Sequence, residues 1–133
     1  MKNNILFFTS LIFITNSLVA LYKEEYIYSI LFYLLTITSL FQHSIDNLYT
    51  NIMDKIIIGM VVSYGGYKLY YKMDNSHTIT LFIIITFLFC IYVYCYEYLT
   101  DKYCFDKNPT IQSTYHSLLH FVGSVGHHAI ILL

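Results

Sequence analysis

The chain has 133 residues, 57% of them hydrophobic and 11% charged, against about 25% charged in an ordinary soluble domain. Its formal net charge is −1 and its seven basic residues are scattered lysines, which excludes the clustered basic surface that binds nucleic acid. A mean hydropathy of +0.58 and a single proline, Pro109, exclude disorder, and so small a domain with so few charges is poorly suited to water; the class indicated is an integral membrane protein.

Hydrophobic runs separated by short polar breaks organise the sequence. The first covers Asn4 to Tyr22 and stops at Lys23-Glu24-Glu25. The second, Tyr26 to Gln42, ends in the polar stretch from His43 to Asn51. The third, Ile56 to Tyr71, starts after Asp54-Lys55 and is followed by Lys72 through His77. The fourth runs from Thr78 to Tyr96 and closes at Glu97. The fifth, Thr110 to Leu133, follows Asp101 to Asn108 and Pro109. A spanning helix takes about 20 apolar residues, with a range of about 17–25. Runs two and three therefore sit near the lower limit, and Lys68 must lie near an end with its amine at the interface. None of the runs alternates as a membrane barrel strand does. In lipid, pairing every backbone group within its own segment imposes helix on β-branched and aromatic residues alike. The expected fold is all-α, a single transmembrane domain over 1–133 with helices near 4–22, 26–43, 54–71, 78–98 and 110–132.

Run one also has the shape of a signal peptide: Lys2, an apolar core and the ending Ser17-Leu18-Val19-Ala20. The length of its apolar stretch, and the second run that follows almost at once, speak for a retained helix. Orientation is not readable from charge. Five spans place Lys2, Lys55, Lys102 and Lys107 on one side and Lys23, Lys68 and Lys72 on the other, too even a division for the positive-inside rule. Cys90, Cys95 and Cys104 fit no disulfide framework or zinc motif; they are expected as small apolar residues in the interior, with Cys104 the one candidate for exposure. Tyr26, Tyr28, Tyr70, Tyr71, Tyr96 and Tyr98 are expected in interface belts.

Ionisable groups inside a bilayer are costly and are functional candidates by default. His116 and His120 are four apart, so on a helix they lie about 40° from each other and about 6 Å apart along the axis, close enough to share a metal ion. Ser39 and His43 have the same spacing at the end of run two. Asp54 is expected at the start of run three, where the helix dipole favours a carboxylate. Following the chain back and forth, the end of run two and the starts of runs three and five fall on one side of the membrane. His43, Asp54, His116 and His120 then lie at similar depth, with or without run one. Three histidines with an open fourth position form the pattern of a catalytic zinc site, and Asp54 could orient or deprotonate a metal-bound water. Asp46 competes for that role, but a loop holds it less firmly than a helix start holds Asp54. His127 lies near the His116 stripe but about two turns, some 10 Å along the axis, beyond His120, and is expected as a buried structural residue; His128 points elsewhere, towards the interface. The small residues in Gly123-Ser124-Val125-Gly126 are expected to serve close helix packing.

The order Ser39-x-x-x-His43, then Asp54, then His116-Ser117-Leu118-Leu119-His120 resembles the CREST superfamily, which includes alkaline ceramidases, progestin and adiponectin receptors, GPI-remodelling lipid hydrolases, haemolysin-like proteins and myomaker. The interval from His43 to Asp54 is most similar to the alkaline ceramidases. His43-Ser44-Ile45-Asp46 is similar to the H-x-x-D of the myomaker branch. The resemblance covers runs two to five. It implies zinc held by His43, His116 and His120, with Ser39 and Asp54 beside the metal water as catalytic groups. In the catalytic branches it also implies hydrolysis of an amide or ester bond in a membrane lipid, and an endoplasmic reticulum or other endomembrane location. The family has seven helices, whereas this chain has room for five. The acidic calcium-binding segment of ceramidases is not visible either, and Lys23-Glu24-Glu25 is a poor substitute. The function expected is zinc-dependent lipid hydrolysis. The alternatives are a fusion or receptor-like membrane protein of the same fold with structural zinc, and a small ion transporter using the same groups.

Overall fold

The structure is a computed structural model that describes residues 4–133; Lys2 lies outside the described residues. Five helices form one bundle. They are α1 (Asn4–Tyr22), α2 (Tyr26–Ile45), α3 (Leu48–Lys72), α4 (His77–Thr100) and α5 (Pro109–Leu132), with short 3₁₀ turns at Met73–Asn75 and Tyr103–Phe105. The expected all-α class and number of helices hold. Helix α1 is irregular at Leu11, where the Leu11 and Ile14 amides bond to the carbonyls of Phe8 and Leu11, three residues back. Just before this break Thr9 and Ser10 both donate their hydroxyls to the Leu6 carbonyl, at 3.2 and 2.7 Å. Back-bonding of this kind bends helices.

Local chemistry sets the ends. Asn47 caps α3 by accepting from the Thr50 amide at 2.9 Å, while the Thr50 hydroxyl accepts from the Asn47 amide at 3.1 Å, a reciprocal capping box. Helix α3 therefore begins at Leu48 rather than at Asp54. Asp54 lies nearly two turns inside it, beyond the reach of the helix dipole that was expected to favour it there. The polar residues Thr50 and Asn51 had masked that first stretch. Asp46 and Asp101 end α2 and α4 in the left-handed region, at φ 50° each, which short polar side chains tolerate. Pro109 occupies the first position of α5, where its missing amide costs nothing.

Each helix buries one stripe. Leu6, Ser10, Phe13, Asn16 and Ala20 form that of α1, and Tyr28, Leu31, Phe32, Leu35, Ser39 and His43 that of α2. Polar residues are prominent in both. The outer faces carry large apolar side chains, among them Phe8, Ile30, Phe41, Leu81, Leu88 and Leu99. Among the described residues two helices are long and apolar enough to cross a membrane, Asn4–Tyr22 at mean hydropathy 2.0 and His77–Thr100 at 2.4. Helices α2, α3 and α5 have the length, at 20, 25 and 24 residues, but fall short in apolar character, so five such spans are not all present. Around the bundle α3 packs on α2, α2 on α1, α1 on α5 and α5 on α4. Although consecutive, α3 and α4 barely touch, which leaves a seam between them.

Tyr28 corrects the tyrosine belt. Its side chain is fully buried and its hydroxyl meets His127 Nδ1, whereas Tyr26, Tyr70, Tyr71 and Tyr98 are exposed as expected. The cysteines exchange places: Cys104 is buried, Cys95 is exposed, and all three are free. Gly126 admits Thr86 of α4, whose Oγ1 would lie 2.5 Å from any added Cβ, while Gly123 faces open space.

Candidate metal centre

Helices α2 and α5 bring three imidazoles together. His43 is on the last turn of α2, and His116 and His120 are one turn apart on α5. Ring centroids lie 5.1 Å apart for His43–His116, 5.5 Å for His43–His120 and 4.8 Å for His116–His120. One ring nitrogen from each lies within 4.8 Å of the others. His43 and His120 are buried and His116 is half-buried. His43 Nε2 is buried with no hydrogen-bond partner among the described residues. A buried, unpartnered imidazole nitrogen is costly unless something occupies it, and the neighbouring rings offer nitrogen donors that suit a divalent metal. The group could hold a metal ion, and its donor set fits one.

The other expected site residues come close without joining the imidazoles. Ser39 is buried one turn before His43, and its hydroxyl lies 2.8 Å from Ser10 Oγ. Ser10 already donates to Leu6, so Ser39 donates to Ser10 and is not available to donate to an oxyanion in this arrangement. Asp54 is buried and accepts from the Thr38 hydroxyl at 3.2 Å; among the described residues no hydrogen bond links it to the three histidines. Asp46 accepts from Gln42 Nε2 at 3.2 Å, on the rim. His127 sits in a cage of Tyr28, Phe32 and Phe87 rings, the structural role expected. His128 differs from expectation: it is half-buried against α1, with Nδ1 2.9 Å from Asn16 Nδ2 and Nε2 3.3 Å from Thr15 Oγ1.

Two cavities meet at the imidazoles. An outer cleft of about 880 Å³ is lined by Gln42, His43, Asp46, Asn51, Tyr98 and Gln112, among others. An inner chamber of about 340 Å³ is walled mostly by apolar groups such as Phe32, Leu35, Val61 and Phe87, and includes Ser39, Asp54 and His120. Lys55, Tyr94, His116 and Leu119 line both. Lys55 and Tyr94 face each other across the seam, with the Lys55 amine 5.6 Å from the Tyr94 ring centroid. Sequence reasoning assigned neither to the site. Cys104 also lines the cleft. Burial and the adjoining Glu97 carboxyl push its thiol up, which keeps it protonated at neutral pH in the metal-free protein. Glu97 was read only as the end of run four. It is fully buried, with Cys104 against its carboxyl.

No family model matches the chain, and neither the curated proteins nor the solved structures contain a match.

Proposed function

We propose that this chain is a multi-pass membrane protein, a shortened member of the CREST superfamily, that holds zinc on His43, His116 and His120 and hydrolyses an amide or ester bond in a lipid. The convergence of the three imidazoles where a polar-rimmed cleft meets an apolar chamber carries this reading. The distribution of side chains supports the bilayer, with large apolar groups on the outside and Ser, Asn, His and Asp within, as expected where ionisable groups must face the bundle interior. The chamber suits an acyl chain and the cleft a polar headgroup, so a carbonyl at their junction would lie beside the imidazoles. The seam between α3 and α4 gives such a molecule a lateral way in.

Zinc, when bound, would supply a Lewis acid and lower the pKa of water to about 7. Asp54 faces the same chamber from the opposite helix and is the group to accept a proton and return it to the leaving group. Ser39 orients through Ser10. A second reading, zinc with a purely structural role, is favoured by one observation: Asp54 and Ser39 are bonded to Thr38 and Ser10 rather than to the histidines.

Metal analysis of the full chain purified in detergent tests the first step; one zinc per chain is expected, and none would overturn both readings. Fluorescently acylated ceramide and glycerophospholipid then serve as amide and ester probes. Asp54→Asn should retain zinc and lose about 10²–10⁴ in turnover, the range for loss of a general base. If Asp46→Asn is the slow variant instead, the base is Asp46. If neither substitution slows cleavage, or neither probe is cleaved by wild type, structural zinc is the better account.

A further inference from the structure

Helix α1 reaches into the metal centre through two side chains that no motif singled out. Thr9 Oγ1 lies 3.1 Å from His120 Nδ1, and the Phe13 ring meets the same imidazole edge-on, with centroids 5.2 Å apart. The direction of the first contact is tied to the second bond open to Thr9. Its hydroxyl has the Leu6 carbonyl as a second acceptor at 3.2 Å; with the proton directed there, as metal ligation through His120 Nε2 requires, the oxygen accepts from His120 Nδ1. His120 then carries its proton on Nδ1 and leaves Nε2 as the nitrogen with a free lone pair. A histidine that ligates a metal almost always donates its other ring N–H to an oxygen, which fixes tautomer and ring orientation. Leu6, ahead of the break in α1, thus anchors both Thr9 and the Ser10 hydroxyl that receives Ser39.

From this chain of bonds we infer that Thr9 is a positioning residue of the metal centre, setting the tautomer of His120, and that helix α1 is part of the working protein rather than a signal peptide cleaved after Ala20. The inference rests on the metal reading above for its first half only. Losing α1 would remove the acceptor for His120, the partner of Ser39 and the Phe13 ring together.

The test compares zinc affinity of the full chain, by chelator competition in detergent, for wild type, Thr9→Val and Thr9→Ser. Valine keeps the shape and removes the acceptor; it should weaken zinc by about 10–100-fold, the usual effect of losing such an outer-shell partner. Serine keeps the hydroxyl and should restore wild-type affinity. Cobalt substituted for zinc should give a visible spectrum that Thr9→Val alters and Thr9→Ser does not. The intact mass of the protein recovered from membranes of its expressing cell should include residues of α1. Wild-type affinity in Thr9→Val, or equal weakening in Thr9→Ser, overturns the positioning role. A mature chain starting near Leu21 overturns the retained helix. Absence of zinc from wild type overturns the metal reading itself and leaves the mass result to decide the fate of α1.

Discussion

The two ends of the bundle each hold a cluster of polar side chains, and the clusters differ in whether they are complete. At the end away from the histidines, Glu25 meets Lys72 at 2.6 Å and Lys68 at 3.4 Å. The Lys72 amine also donates to the carbonyls of Ile130 and Ile131, at 3.0 and 3.1 Å, and so satisfies the carbonyl end of α5, where the helix dipole favours a cation. This clasp ties the α1–α2 turn, α3 and α5 together, with the Glu25 carboxylate and the carbonyl end of α5 facing two lysines. It also places Lys68 near the end of its helix, as the sequence required. At the other end three imidazoles face one point, and His43 Nε2 finds no partner. A complete cluster holds helices in place, whereas an incomplete one is built for something that binds. Neither burial nor hydrogen bonding alone separates the two, since Glu25 Oε2 also completes no hydrogen bond; an opposite charge does, because the Lys68 amine lies 3.4 Å from Glu25 Oε2, whereas His43 packs against two further imidazoles.

The largest effect that would break this comparison is at the incomplete end. His43→Ala should reduce bound zinc well below one per chain, because two remaining imidazoles make a poor site for a metal that takes four ligands. Unchanged zinc content, measured on the purified variant, would show that His43 is not a ligand. The matching change in stability is informative in sign. Zinc at about 100 times its Kd should stabilise wild type by about 2.7 kcal/mol, and a chelator should remove that gain. In metal-free protein His43→Leu should be neutral or stabilising, because it replaces a buried nitrogen without a partner.

Glu25→Ala should do the reverse. Complete loss of one partner of a buried pair costs about 3–5 kcal/mol, and the partial exposure of Lys68 and Lys72, 23% and 19%, lowers this towards about 2 kcal/mol. The loss should be the same with and without zinc. Thermal melts followed by circular dichroism would check both ends, and a Glu25→Ala loss that depends on zinc would mean that the two clusters are not independent.

How far the sequence revealed this arrangement follows from which signals it carries. Five hydrophobic runs mark five helices because a polar break ends each run. The sidedness that joins His43 to His116 and His120 needs only the count of helices that run back and forth, so it survives errors of several residues in the helix ends. The start of α3 was hidden because its capping box, Asn47 with Thr50, lies in a stretch polar enough to pass for a loop. Tyr28 and Thr9 were hidden for a different reason. When apolar residues cover the outside and small polar groups lie inside, hydrophobicity no longer shows which face of a helix turns inward. Tyr28 on the inner stripe of α2 then looks like Tyr26 on the outer face. Thr9-Ser10 and Thr15-Asn16-Ser17, the polar groups within an apolar run, were the available hint for α1. Lys55 and Tyr94 become site residues only because α3 and α4 stand apart, and no local pattern encodes a gap between helices.

The third polar cluster, Tyr28 with His127 in mid-bundle, supplies the smallest and most discriminating comparison. Its bond is closed on itself and ringed by Phe32 and Phe87, so it belongs with the clasp and not with the metal centre, even though His127 borders the inner chamber. Gly65 of α3 is what lets this pair fit. A Cβ there would lie 2.7 Å from His127 Cε1 and 2.9 Å from the Tyr28 hydroxyl, and two rings packed on other rings have little room to retreat. Gly65→Ala should therefore cost about 1–2 kcal/mol, near the lower part of the range for overpacking. Gly66, the next residue, has nothing within 4 Å of an added Cβ, so Gly66→Ala should stabilise by about 0.5–1 kcal/mol through backbone entropy in mid-helix. Neither change should alter zinc stoichiometry. Loss of zinc in Gly65→Ala would mean that His127 helps to hold the metal centre, and would move this cluster from the complete class to the incomplete one.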